Sequence, residues 1–89
     1  MPFQLDLDNL ADEILGYVKE EKVMSGLSIL CRYGSTHSEI PLKYAGYLSM
    51  NICNTLKNLV IQRKLRDLYP SGVKPESALM SEIYYIILE

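Results

Sequence analysis

Two cysteines and one histidine are the only zinc-type sulfur or nitrogen ligands among these 89 residues. Cys31 and Cys53 are too few for a disulfide scaffold and form no Cys-x-x-Cys pair. With His37 they match no zinc-ligand spacing. Each cysteine lies in an apolar, helix-like segment, and both read as buried thiols packing as small hydrophobes. There is no glycine-rich phosphate loop. A single histidine in a loop does not provide the converging acids, bases and nucleophiles that catalysis needs. No enzyme, cofactor or metal is therefore expected. Glycine and proline are scarce, at five and four, which excludes a low-complexity chain. No apolar run approaches the ~20 residues of a membrane span. Met1-Pro2-Phe3-Gln4 has neither the basic start nor the apolar core of a signal peptide. One cytoplasmic, globular domain is expected over residues 1–89, with no repeat and no linker.

Acid is missing where it matters for charge. The net charge is −2, which argues against nonspecific coating of nucleic acid. Yet residues 1–42 hold seven acids and three bases, and residues 43–89 hold six bases and four acids. Between Glu39 and Asp67 no acid occurs, while Lys43, Lys57, Arg63, Lys64 and Arg66 do. Such a run offers a basic face that the total conceals.

Apolar spacing supplies the elements. Asp8 reads as the cap of a helix over 8–22, with Leu10, Ile14, Tyr17 and Val18 inward. Ser25 reads as the cap of a second helix over 27–33, with Leu27, Leu30 and Cys31 on its inner face and Gly34 as its stop. A kinked continuous helix is the alternative there. Residues 38–57, SEIPLKYAGYLSMNICNTLK, read as two short helices about a turn at Ala45-Gly46-Tyr47-Leu48. Ser38 caps the first, with Pro41 in its first turn and Ile40, Tyr44 and Ala45 inward. Ser49 caps the second, whose core face is Ile52, Leu56, Leu59 and Val60. Residues 65–69 and 81–88 read as strands joined by a loop of turn residues. The last strand is apolar on both faces, with Tyr84, Ile86 and Leu88 needing cover beyond the hairpin.

The expected fold is α+β and mostly helical. The order helix, helix, turn, helix, strand, loop, strand resembles the winged helix-turn-helix family over most of the chain. AGYLSMNICNTLKNLV at 45–60 is similar to the family's turn glycine, capping serine and apolar anchors. VIQRKLRDLY and EIYYIIL are similar to the flanks of its wing. The resemblance implies a three-helix core plus an N-terminal helix, a helix-turn-helix over 38–62, and a wing hairpin over 65–88. It implies a prokaryotic type of transcription regulator that binds double-stranded DNA, with the helix 49–62 in the major groove.

On that expectation Asn51 and Asn54 contact bases, since asparagine donates and accepts toward adenine. Asn58 is a further candidate, and Met50 or Thr55 would touch a thymine methyl. Lys43, Ser49, Lys57, Arg63, Lys64 and Lys74 would meet the backbone. A homodimer is expected to form through the N-terminal helix or the last strand, with Leu10, Ile14, Tyr17, Tyr84, Ile86 and Leu88 as its surface. The rival expectation is a winged helix used for protein–protein contact without DNA reading. The acidic balance and a wing with only Lys74, set against Glu76, favour it.

Overall fold

A computed structural model describes residues 6–88; the signal-peptide expectation for Met1 to Gln4 falls outside them. Three α-helices and a three-stranded antiparallel sheet form one α+β unit, mostly helical. The order is α1 (Leu7–Glu21), β1 (Val23–Ser25), α2 (Gly26–Thr36), α3 (Ala45–Ile61), β2 (Leu65–Leu68) and β3 (Tyr84–Ile87). None of these helices is long and apolar enough to cross a membrane.

The cap of helix α1 lies two residues before the expected one. Asp6, not Asp8, accepts the Asn9 backbone N–H at 3.2 Å. Its side-chain oxygen therefore satisfies a donor with no partner inside the helix. Leu10, Ile14, Tyr17 and Val18 are buried in the core of the single chain. The expected dimer surface on this helix is thus already consumed, because Leu10, Ile14 and Tyr17 face their own core. Tyr17 also receives Arg32 of α2, whose guanidinium lies 4.6 Å over its ring while reaching Glu20 at 3.0 Å and Glu21 at 3.3 Å.

Strand β1 was not foreseen, and it sets the rotation of α2. Ser25 caps α2 as expected, accepting the Ser28 N–H at 3.1 Å. The inner face, however, is Ile29 and Tyr33, while Leu27 is 50% exposed and Cys31 is exposed. Cys53 is only half-buried. The two buried thiols expected from the sequence are therefore absent. β1 pairs with β3 and brings Gly26 against the chain entering β3. The Gly26 N–H donates to the Ile83 carbonyl at 2.9 Å, and a Cβ at Gly26 would stand 2.2 Å from the Met80 carbonyl oxygen. Nor does Gly34 stop the helix, which continues to Thr36 and closes when the His37 N–H reaches the Tyr33 carbonyl at 2.9 Å. An interior glycine costs a helix only about 1 kcal/mol, and Tyr33 is anchored in the core.

The expected helix from Ser38 is a single 3-10 turn at Leu42–Tyr44. Proline disfavours helical backbone at the residue before it, and Pro41 is itself extended at ψ 143°. The expected turn at Ala45 to Leu48 is likewise absent, since these residues form the first turn of α3. Leu48 is buried one turn before Ile52, so the helical burial pattern begins there. Gly46 and Ser49 accordingly lie inside a helix, and Ala45 is exposed rather than inward. Leu48, Ile52, Leu56 and Leu59 bury the expected face of α3, and Val60 is half-buried beside them.

The sheet order is β1-β3-β2, with Met24 opposite Tyr85 and Leu65 opposite Ile87. Both strands expected at the end are present but shorter, the last because a 3-10 turn occupies Met80–Glu82. Met24, Leu65 and Tyr85 face the helices and complete the core. Tyr84, with Val23, Leu68, Ile86 and Leu88, lines the outer face, as the doubly apolar last strand required.

Gly26→Ala is expected to lower unfolding free energy by about 1–3 kcal/mol through overpacking. Gly16→Ala, with nothing within 4 Å of the new Cβ, is expected to raise it by about 0.5–1 kcal/mol. Urea denaturation of both variants checks this contrast. A second expectation concerns alkali. Burial pushes the Tyr85 hydroxyl far above its ordinary value, and burial also raises Tyr17 and Tyr33. The unfolded chain then ionises first, near pH 10. This contribution is complete below that pH and is lost as pH rises above it. Tyr85→Phe is expected to flatten the alkaline decline in a pH series, and an unchanged slope would exclude Tyr85 as its source.

Candidate interaction surface on helix α3

Helix α3 turns one line of side chains directly away from the core. Met50, Asn54, Lys57 and Ile61 follow at spacings of four, three and four, all exposed, with Met50 at 56% and Ile61 at 77%. Two of these four are large apolar groups and one is a base.

The asparagines share one flank of α3, and that flank faces the start of α1. Asn51, Asn54, Thr55 and Asn58 line a shallow depression of about 280 Å³ between α3 and the start of α1, together with Leu7, Asp8 and Ala11. The Asn51 amide donates to the Tyr47 carbonyl of its own helix at 2.8 Å. That donor is spent on the backbone, and Asp8 lines the same depression.

On its other flank α3 meets the residues 69–83 that connect β2 to β3. A groove of about 580 Å³ runs between them. Cys53, Lys57, Val60 and Ile61 form the helix wall, and Asp67, Tyr69, Glu76, Leu79 and Met80 stand opposite. The Tyr69 hydroxyl donates to Asp67 at 2.7 Å. That bond to a carboxylate, more than the slight burial, raises the Tyr69 pKa above its usual value. Leu79 is 66% exposed although it lines the groove. Sequence reasoning missed this wall. Its only signal was the apolar triplet Ala78-Leu79-Met80 inside a segment read as loop.

The bases separate in space. Lys43 lies on the 3-10 turn before α3, 5.3 Å over the Tyr44 ring. Arg63 and Lys64 follow the far end of α3, Arg66 is on the outer face of the sheet opposite Ile86, and Lys74 is in the loop. All six bases from Lys43 to Lys74 are exposed. The ion pairs among the described residues lie elsewhere, at Arg32 and His37. Ser49 is half-buried in the second turn of α3, where its backbone N–H is not at a helix start.

His37 forms a separate polar knot. Its Nε2 lies 2.7 Å from a Glu13 carboxylate oxygen, its Nδ1 lies 3.5 Å from Glu39, and its ring stacks 4.1 Å from Tyr33. Glu13 also accepts the Tyr17 hydroxyl. The knot ties α1 to the end of α2. No cluster of three His, Cys, Asp or Glu side chains able to hold a metal ion occurs among the described residues.

In comparison with known proteins, the chain matches no family model, no curated protein and no solved structure.

Asn54 and Asn58 are exposed within α3, and neither makes a hydrogen bond to another described side chain. Asparagine is a poor helix former, so Asn54→Ala and Asn58→Ala are each expected to raise stability by about 0.5 kcal/mol. Denaturant midpoints check this. A loss of stability in either variant would mean that the amide supports the fold.

Proposed function

We propose that the chain is a winged helix used as a protein-contact module, with α3 and the loop 69–83 as its working surface. The order of helices, the third helix and the strand–loop–strand that follows support the winged-helix reading. So does β1, which joins the hairpin strands in one sheet. The observation that carries the contact reading is the placement of acids and apolar groups around α3. Asp8 flanks it on one side, and Asp67 and Glu76 flank it on the other. A polyphosphate seated on this helix would meet carboxylates on both edges, which oppose it over the range that salt does not screen. The apolar pair Met50 and Ile61 on the outward line, with Leu79 across the groove, has the character of a protein interface core rimmed by polar groups.

Double-stranded DNA remains the second reading, and one observation favours it. Lys43, Lys57, Arg63, Lys64 and Lys74 are exposed and engage no acid among the described residues. On that reading Met50, Asn51, Asn54, Thr55 and Asn58 face bases.

Fluorescence anisotropy with random duplex DNA at low and moderate salt separates the two. Under the contact reading no salt-dependent binding is expected at micromolar protein. Binding that falls steeply with salt, and that weakens in Lys57→Ala, would replace the contact reading with the DNA reading.

A further inference from the structure

We propose that the groove between α3 and residues 69–83 docks onto the same groove of a second copy of this chain, across a two-fold axis. This rests on the protein-contact reading and names the partner. A two-fold contact uses one patch twice, so the patch must complement itself. This one does so in charge. Lys57 stands on the helix wall, and Asp67 of β2 and Glu76 of the loop stand on the opposite wall. Lys57 and Glu76 are both exposed and belong to none of the ion pairs among the described residues. Turning a second copy over the groove sets the Lys57 of each chain against the acidic wall of the other.

The patch also complements itself in shape and polarity. Ile61 and Leu79 line the groove yet are 77% and 66% exposed. Each copy therefore presents apolar projections beside a cavity that can take them. The outer face of the sheet lacks this property. The outer sheet face carries Arg66, and Lys19 and Lys22 share a depression with Ile86. Two copies stacked on that face would bring bases against bases. A chain of this size buries only about 60–65% of its unfolded surface, less than larger domains do, so a second copy adds core that the monomer lacks.

Sedimentation equilibrium across a concentration series tests the contact, using the wild-type chain, Lys57→Glu, Glu76→Lys and an equimolar mixture of the two variants. Both side chains are exposed and outside the ion pairs, so circular dichroism should match wild type, as should thermal melting at concentrations where all the chains are monomeric. The wild type is expected to dimerise reversibly. Each variant alone should dissociate at roughly tenfold higher concentration or more, because like charges then meet across the contact. The mixture should recover near wild-type affinity, since one half of its two-fold contact holds the exchanged pair and the other half the native pair. A wild type that stays monomeric, or a mixture no tighter than the separate variants, would overturn the self-pairing. Neither result touches the protein-contact reading itself, which stands or falls on the DNA titration.

Discussion

The approach of Gly26 to the Met80 carbonyl is the constraint on which the rest of the molecule depends. No other residue has room there, since a Cβ would lie 2.2 Å from that oxygen. The same residue donates its N–H to Ile83. Together these contacts hold the chain entering β3 against the first turn of α2. From that point β3 runs between β1 and β2 and places Tyr85 in the core. The long connection from β2 ends at that point and lines a groove shared with α3 on its way. The groove wall formed by Leu79 and Met80 exists because the chain must arrive at Gly26.

That return path reshapes the electrostatics of α3. Along the chain the helix lies within a run that is free of acids. In space, the start of α1 brings Asp8 to one flank, and β2 with its loop brings Asp67 and Glu76 to the other. The bases from the same run spread from one end of α3 to the outer face of the sheet. A phosphate backbone responds to the summed field over several ångströms, so proximity in space counts and proximity in sequence does not. The surface that results combines apolar projections with both signs of charge, a composition suited to another protein surface.

Much of the fold was legible in the residues. The core faces of α1 and α3 follow from Leu10, Ile14, Tyr17 and Val18 and from Ile52, Leu56 and Leu59 at helical spacing. The paired final strands follow from their β-branched and aromatic content, and the uncovered outer face follows from Tyr84, Ile86 and Leu88. The region from Val23 to Ser49 was less legible, for physical reasons. β1 has three residues, too few for an alternating pattern, and its strand character comes from pairing with β3 some sixty positions later. Gly34 and Gly46 have the composition of breaks, but a helix absorbs a glycine when Tyr33 or Leu48 beside it is buried. Pro41 resembles a residue of a helix first turn, yet its effect on Ile40 prevents that helix from forming. The candidate surface was half legible. On its helix side Met50 and Lys57 are legible as outward positions, whereas Cys53 and Val60 read as core and line the groove instead, and its loop side depends on a long-range contact that no local pattern encodes.

Residue-resolved NMR of the amide groups across a protein dilution series tests the central claim most directly. If the α3–loop groove is the contact surface, the resonances of Cys53, Lys57, Ile61, Glu76 and Leu79 shift with concentration, while those of Asn51, Val23 and Ile86 stay fixed. Shifts confined to Val23, Tyr84 and Ile86, or none at any concentration, would contradict self-pairing through this groove.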